Sequence, residues 1–240
     1  QVRGKKLAMI FQDPLSARNP VYRVGDQIVE MIQSHQNLSK DAARTRAIEL
    51  LDIVGIPQPK QRSRQYPHEF SGGMRQRVMI AMAISNDPDV LIADEPTTAL
   101  DVTVQAQILE VIQRIQNEMN KAVVMITHDL GVIARVADRV QVMYAGRVVE
   151  RAGVDDLFSH PTHPYSEGLL NSLPRGGQTR LQPIPGRPPN MLRPPEGCAF
   201  SARCEYSTER CLVGLPELAP SGRSMSACVR AAELSLGVKV

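Results

Sequence analysis

The sequence predicts an α/β fold in which a parallel sheet carries a phosphate-binding site at one edge. The apolar stretch Val90-Leu91-Ile92-Ala93 runs into two adjacent carboxylates, Asp94 and Glu95. A buried strand that ends in this way places its acids at the carboxyl edge of the sheet, where open α/β folds bind ligands. Upstream, Ser71-Gly72-Gly73 opens a helix whose first N–H groups can bind an anion, with Ser71 as the helix cap.

Strand and helix patterns alternate along the rest of the chain up to residue 174. One amphipathic helix is predicted from its cap at Ser39 to its stop at Gly55, and a second is predicted after Asp101. Such helices would join apolar strands into one parallel sheet. The strands are predicted at residues 89–94, 122–127 and 139–144.

Composition fits a mixed α/β cytoplasmic protein. At 240 residues, a typical length of about 150 residues per domain suggests one to two domains. The longest purely apolar stretch, Val78 to Ile84, is far shorter than the roughly 20 residues that span a bilayer. A net charge of +3 without a clustered basic stripe does not indicate nucleic-acid binding.

A change in composition near Pro174-Arg175-Gly176-Gly177 predicts a domain boundary. Residues 175–240 hold 8 of the 18 prolines and all four cysteines of the chain. We therefore expect one α/β domain over residues 1–174 and an irregular C-terminal extension over residues 175–240. Within the extension, the run from Pro183 to Pro195 is expected to be extended and unable to bury a core by itself.

Three further residues complete a pattern of five motifs. Gln12 follows the apolar stretch 7–11, Asp101 closes the triplet Ala99-Leu100-Asp101, and His128 follows a second apolar strand that ends at Thr127. In this order and at these spacings, the motifs resemble the Q-loop, signature, Walker B, D-loop and switch histidine of ABC transporter ATPase subunits. The resemblance implies a P-loop NTPase-like ABC cassette with a helical subdomain at about residues 14–88.

The resemblance also implies a role for each motif residue in ATP hydrolysis. Gln12 and Asp94 would hold Mg²⁺, Glu95 would polarise the attacking water, and His128 would contact the γ-phosphate. The ATP-binding residues that would act across a dimer of two cassettes are Ser71, Gly72, Gly73, Gln76 and Asp101. The chain lacks the phosphate-cradling segment G-x-x-x-x-G-K-[ST], which the family places upstream of the Q-loop. We therefore expect the record to be truncated before that segment, and this piece alone to be inactive.

Finer motifs resemble the D-type ATPase subunit of dipeptide and oligopeptide importers. The stretches that carry this resemblance are Ala8-Met9-Ile10-Phe11-Gln12-Asp13-Pro14, Met143-Tyr144-Ala145-Gly146 and His163-Pro164-Tyr165. The implied partners are a second, nonidentical ATPase subunit, two transmembrane permease subunits and, indirectly, a solute-binding protein. The protein would then lie at the cytoplasmic face of the cell membrane. Alternatives are an importer of nickel or another solute, an ABC protein that remodels a macromolecule, and a catalytically silent binding module.

The four cysteines form a separate candidate site. Cys198, Cys204, Cys211 and Cys228 are separated by 5, 6 and 16 residues, a spacing that matches neither the usual zinc pairs nor the common ferredoxin patterns. Their clustering favours shared ligation of an iron–sulfur cluster or zinc, against four unrelated reduced thiols. The spacing alone does not separate these metals. The resemblance to peptide-importer tails favours a [4Fe–4S] cluster.

Overall fold

The computed structural model describes residues 2–13, 19–174 and 183–237. The chain forms two compact units, which divide between His128 and Asp129. The composition break at Pro174-Arg175-Gly176-Gly177 lies almost entirely outside the described residues, as do residues 14–18 of the expected helical subdomain. The domain boundaries at residues 1–174, 14–88 and 175–240 therefore stay predictions.

The first unit contains a three-stranded parallel sheet. Its strands are β1 (Leu7–Ile10), β2 (Val90–Asp94) and β3 (Ala122–Ile126), with β2 in the centre. Leu7 pairs with Val90, and Val90 pairs with Ala122, so the carboxyl ends of all three strands meet at one edge. Parallel strands require long crossover connections, which the intervening helices supply.

The described part of the first unit also contains five α-helices. They are α1 (Val24–Gln33), α2 (Lys40–Ile53), α3 (Pro59–Arg62), α4 (Gly72–Ala83) and α5 (Val102–Glu118). The predicted cap of α2 is confirmed, since Ser39 Oγ accepts a hydrogen bond from the Ala42 N–H at 3.3 Å. Gly55 adopts a left-handed φ of 74° just after α2, a conformation that glycine adopts without steric cost. The core of the unit is largely aliphatic and includes Ile10, Ile28, Leu50, Leu51, Ile80, Leu91 and Ile112.

The second unit begins with α6 (Leu130–Val136) and is built around an antiparallel sheet. Strand β4 (Arg139–Tyr144) turns back into β5 (Arg147–Gly153), so the prediction that 139–144 joins the parallel sheet is wrong. The connection consists of Ala145 and Gly146, with φ values of 49° and 76°. Two successive left-handed residues form the tight turn that matches the twist of a hairpin, and this turn reverses the chain.

Residues before 175 and residues after 182 both contribute to the second unit. Helices α7 (Val154–Ser159) and α8 (Pro164–Asn171) follow β5, and the short strands β6 (Ala219–Ser221) and β7 (Ser224–Ser226) extend the sheet in the order β4-β5-β7-β6. The run from Pro183 to Pro195 contains no helix or strand, as predicted. Phe200, which follows this run, packs edge-on against two tyrosine rings. Its ring centroid lies 5.4 Å from that of Tyr144 and 5.3 Å from that of Tyr165.

A buried carboxylate joins β5 to the start of α8. Glu150 is fully buried and accepts hydrogen bonds from Thr162 N–H, at 2.7 Å, and from His163 N–H, at 3.0 Å. Burial lowers the pKa of His163 to about 4, so its ring is neutral near pH 7. The Nδ1 atom of His163 accepts the Tyr165 N–H at 3.0 Å and thereby caps α8. Histidine 163 therefore has a structural role in this unit.

Candidate active site

Three of the candidate catalytic residues meet where the parallel strands end. Gln12 and His128 each lie two residues beyond their strands, and Glu95 directly follows β2. The Gln12 Nε2 atom donates a hydrogen bond to Glu95 Oε2 at 2.8 Å, and His128 Nδ1 lies 3.0 Å from Glu95 Oε1. The structure thus brings together three side chains that are up to 116 positions apart by their numbers in the sequence. Their meeting point is the sheet edge at which α/β folds bind ligands.

The backbone at Glu95 holds this carboxylate in an unusual conformation. Glu95 has a left-handed φ of 44°, and its N–H donates to the Ile126 carbonyl at 2.9 Å. A nonglycine residue in this region costs of order 1–3 kcal/mol, and such residues cluster at functional sites. The Thr98 hydroxyl donates to Glu95 Oε2 at 2.8 Å and completes the arrangement. Thr98 was not predicted as a site residue, although a hydroxyl three residues after Glu95 indicates a possible donor to that carboxylate.

These donors keep Glu95 ionised. The hydrogen bond from Thr98, followed by the one from His128, lowers the pKa of the Glu95 carboxyl. A carboxylate with a lowered pKa holds a proton poorly at neutral pH, but its full negative charge orients and polarises a bound water. The geometry therefore suits Glu95 for positioning water better than for storing a proton.

Asp94 is the candidate magnesium ligand beside this carboxylate. It is the last residue of β2, is half-buried, and pairs with Ile126 across the sheet. Carboxylate and amide oxygens are ligands that suit Mg²⁺. Gln12 turns its amide nitrogen toward Glu95, so its carbonyl oxygen is the atom that could ligate a metal. The donor types at the two positions fit the cation.

The signature motif forms the exposed start of α4. Ser71 Oγ accepts the Met74 N–H at 3.4 Å, which makes Ser71 the predicted cap, and both Ser71 and Gly72 are exposed. Gly73 packs so tightly on α5 that an added Cβ would overlap Val104 Cγ1. Two glycines therefore leave the first turn of α4 open on one side and closely packed on the other. Free N–H groups at this helix start can bind an anion.

Gln76 is buried, and its predicted role of facing a nucleotide across a dimer stays a prediction. Its side chain is only 2% exposed, and its Nε2 atom is buried without a hydrogen-bond partner among the described residues. The physical reason is helical periodicity, since five residues advance the chain by about 500° and turn Gln76 away from the exposed Ser71. At this helix start, Ser71 and Gly72 are exposed and Gly73 is half-buried.

Asp101 begins the neighbouring helix α5. Its Oδ1 atom accepts the Val104 N–H at 2.9 Å, so the side chain is an N-cap. Asp101 is exposed at the surface of the unit. Because Val104 also packs on Gly73, the starts of α4 and α5 lie side by side. The structure therefore places the predicted cross-dimer residues Ser71, Gly73 and Asp101 in one region.

All four cysteines line a single small cavity of about 20 Å³ in the second unit, together with His163. Burial raises the pKa of the Cys204 thiol to about 11, and the neighbouring Cys228, Cys198 and Cys211 contribute to this increase. No three Cys, His, Asp or Glu side chains of the described residues are arranged to hold a metal ion. The prediction of an iron–sulfur or zinc site is thus unsupported by ligand geometry, although the donor set is of the right chemical type.

Comparisons with known proteins extend these observations. A profile of the ABC transporter family matches residues 1–98, and a profile of the oligopeptide/dipeptide transporter C-terminal region matches residues 149–211. The oligopeptide transport ATP-binding protein OppD of Bacillus subtilis strain 168 is 56% identical over 209 residues, covering 86% of this chain and 58% of that protein. OppD of Escherichia coli strain K12 is 51% identical over 238 residues, covering 97% and 70%. The chain spans less than two thirds of the Bacillus subtilis protein.

A solved structure supports the fold. The dimeric bacterial ABC transporter cassette MJ0796 is 28% identical, with a TM-score of 0.55 over 63% of this chain and 64% of that one. In the part of the chain that the structure describes, none of the helices is long and apolar enough to cross a membrane. The chain belongs to the family of ABC transporter ATP-binding proteins, in its oligopeptide and dipeptide transporter branch. The family resemblance and the α/β cassette predicted from the motifs are confirmed.

Proposed function

We propose that the full-length protein hydrolyses ATP to power the import of dipeptides or oligopeptides. The observation that carries this proposal is the contact of Gln12 and His128 with the two carboxylate oxygens of Glu95. Phosphoryl transfer to water requires positioned charge more than covalent chemistry. A carboxylate, an amide and an imidazole at one sheet edge supply such charge.

Each residue at this edge has a distinct proposed role. Asp94 and the Gln12 carbonyl oxygen would hold Mg²⁺, which would supply positive charge to neutralise the phosphates. Glu95, ionised by its donors, would orient the attacking water. His128 is 76% exposed in its side chain, so it can leave Glu95 and donate to the γ-phosphate. The Gln12 and His128 contacts with Glu95 would therefore be a resting arrangement that ATP and Mg²⁺ rearrange.

The second nucleotide-binding surface is the exposed start of α4. We propose that Ser71, Gly72 and Gly73 bind the γ-phosphate of ATP held by a partner cassette, with Asp101 coupling the two sites. The N–H groups of the first turn and the positive end of the helix dipole favour an anion there. Gln76 would support this turn from inside the helical segment, since its side chain is buried.

The proposed partners follow from the transporter branch of the family. We propose a second, nonidentical ATPase subunit and two transmembrane permease subunits, with a solute-binding protein acting indirectly. The protein would be peripheral at the cytoplasmic face of the cell membrane. ATP-driven closure of the two cassettes would move the helical segment α1–α4 against the permease and switch its access.

The decisive experiment measures ATP-dependent uptake of a labelled peptide by the complete transporter in proteoliposomes. Glu95→Gln keeps the size of the side chain but removes its charge, so hydrolysis should fall at least about a hundredfold. ATP binding should persist, and closed dimers containing ATP should accumulate. The matched control is Glu118→Gln at the exposed end of α5, which should remain active. If Glu95→Gln instead loses ATP binding and no trapped dimers form, Glu95 has a structural role. That result would refute the proposal that Glu95 orients the attacking water.

The same proteoliposomes discriminate between the substrate classes. Uptake of Ni²⁺ without uptake of peptide would replace the peptide proposal with the nickel alternative. ATP binding without hydrolysis by the wild-type transporter would identify a catalytically silent module. ATP hydrolysis coupled to peptide uptake is the expected result.

We also propose that Cys198, Cys204, Cys211 and Cys228 hold a [4Fe–4S] cluster, with Zn²⁺ as the alternative. Support comes from the convergence of all four thiols on one cavity in an otherwise irregular segment. Metal binding would have to draw the thiols together and deprotonate them, which would contribute folding free energy to the segment. Because ATP hydrolysis transfers no electrons, the proposed role of this centre is structural or regulatory.

A further inference from the structure

Arg77 joins three helices through its guanidinium group. Its Nη1 atom donates to the carbonyl oxygens of Val54 and Gly55, at 3.1 and 2.9 Å. Its Nη2 atom donates to Gln107 Oε1 at 3.0 Å. Val54 and Gly55 directly follow helix α2, Gln107 lies in α5, and Arg77 itself belongs to α4. One side chain therefore connects the end of α2 and the side of α5 to the signature helix.

The surroundings of Arg77 are built around this contact. The carbonyls at the end of α2 carry the negative end of a helix dipole, which favours a cation. An added Cβ at Gly55 would overlap Arg77 Nη1, so glycine provides the space that the guanidinium occupies. Burial lowers the pKa of Arg77, and the nearby Arg114 acts in the same direction. A lysine ammonium lacks the planar fork that reaches both partners at once.

The contact with Gln107 is part of an alignment between α4 and α5. Gly73 packs on Val104 near the start of both helices, and Arg77 meets Gln107 about one turn further along each. Residue numbers increase together in the two contacts, so the helices run in the same direction there. A rotation of α4 about its axis would break the hydrogen bond to Gln107 and the tight packing at Gly73.

We propose that Arg77 is a positioning residue for ATP hydrolysis, which fixes the direction in which α4 presents Ser71-Gly72-Gly73 and links that direction to the end of α2. This inference rests on the proposed function, in which the start of α4 binds the γ-phosphate of a partner cassette. Arg77 touches neither ATP nor the reacting atoms in this role. It acts by holding α4 against two other helices. Replacing Arg77 should therefore slow ATP hydrolysis in the closed dimer without weakening the initial binding of ATP.

The test uses the full-length ATPase assembled with its partner subunits in proteoliposomes. Wild type, Arg77→Lys, Gln107→Ala and the double variant are compared in steady-state ATP hydrolysis. A small misplacement of reacting groups can cost up to about a hundredfold, so we expect kcat to fall roughly tenfold in Arg77→Lys while KM for ATP is unchanged. Because both residues act through one contact, the double variant should be no slower than Arg77→Lys alone. Arg114→Lys makes the same chemical change at an exposed position of α5 and should leave kcat unchanged.

Hydrogen exchange gives a second readout that does not depend on activity. Arg77→Lys should increase amide exchange at the end of α2, near residues 50–56, and at the start of α4, near residues 71–77. A variant with unchanged exchange in both segments would overturn the proposal. So would a loss of folded protein with unchanged kcat per folded molecule, because that result describes a purely structural residue. Failure of the wild type to hydrolyse ATP would instead refute the proposed function, and the exchange measurement would still decide whether Arg77 holds α4.

Discussion

Glu95 shows how single residues set the chemistry of the site. Three side chains donate to or contact its carboxylate, and its backbone adopts a left-handed conformation at φ 44°. Thr98 has the largest effect on the pKa of this carboxyl, ahead of His128 and Gln12. The local sequence after β2 therefore tunes the acid that the strand delivers. Residues far away in sequence then complete its environment.

Removing the Thr98 hydroxyl should raise the pKa of Glu95. The lowered pKa reflects hydrogen bonds to the charged form, so Thr98→Val should shift the carboxyl back toward its ordinary value. The stability that ionised Glu95 contributes is present above its unfolded pKa and is lost as pH falls through its lower folded pKa. In Thr98→Val the folded pKa of Glu95 should lie closer to the unfolded one, so this contribution should be smaller and its loss should be complete at a higher pH.

Carboxyl ¹³C titration of Glu95 in the full-length protein without nucleotide measures this shift. The control is Thr45→Val, because Thr45 donates to the Asp41 carbonyl in α2, away from Glu95. An unchanged Glu95 titration in Thr98→Val would contradict the assignment of Thr98 as the main cause of the lowered pKa.

At the scale of secondary-structure elements, the starts of two helices, α4 and α5, contain much of the candidate site. Ser71 caps α4 and Asp101 caps α5, and Gly73 allows the two helices to approach closely. Capping satisfies one of the N–H groups that a helix start leaves without an intrahelical partner. The same residues that make these helices begin where they do are thus those proposed to meet a partner cassette.

Substitutions of Asp101 should separate helix capping from any role of its charge. Asp101→Ala removes the acceptor for the Val104 N–H and should lower the free energy of unfolding by about 1 kcal/mol, whereas Asp101→Asn should retain most of it because Asn is also a favourable cap. Urea unfolding of the full-length protein measures the difference. Equal destabilisation by Ala and Asn would show that capping is not the main structural contribution of Asp101.

ATP hydrolysis by the same two variants in the assembled transporter tests whether Asp101 couples the two nucleotide sites. If the charge of Asp101 couples the two nucleotide sites, Asp101→Asn should lose activity while keeping its stability. Normal activity in Asp101→Asn would leave Asp101 with the capping role alone.

In the molecule as a whole, two compact units divide the proposed tasks. The unit up to His128 contains the five nucleotide motifs, and the unit from Asp129 onward contains the cysteines. In the second unit, β7 pairs with β5, so residues after 182 extend a sheet that begins before residue 175. The tail therefore contributes strands to a folded unit.

The cysteine proposal makes a prediction at this scale. Full-length protein purified without oxygen should contain iron and sulfide and absorb broadly in the visible range. Replacing any one of Cys198, Cys204, Cys211 or Cys228 by Ser should deplete the metal and increase proteolysis of residues 183–237, because metal binding contributes folding free energy. ATP binding should be retained, since the nucleotide motifs lie in the other unit.

Metal analysis discriminates among the outcomes. Zinc in stoichiometric amount would replace the cluster. Metal-free protein with four alkylatable thiols and a protease-resistant tail would rule out both centres. Ser207→Ala, an exposed position in the same tail, is a control that should retain the metal.

The sequence by itself determined the elements that depend on local chemistry. Apolar stretches followed by polar residues predicted β2 and β3 and the residues at their ends, and Ser39 and Gly55 predicted both ends of α2. The order and spacing of the five motifs also identified the family. These features are legible because strand ends, caps and turns depend on residues close together in the chain.

Only the tertiary structure decided how these elements meet. An apolar strand pattern does not specify its partner, so the sequence predicts the wrong sheet for 139–144, which the left-handed turn at Ala145 and Gly146 pairs with β5 instead. Motif spacing did not reveal that Gln76 is buried, because burial depends on which face of α4 the other helices cover. The contact of Arg77 with α2 and α5 was equally hidden. Side-chain contacts between distant segments arise from tertiary packing. A single sequence gives the residues that pack together, but it does not specify which of them are in contact.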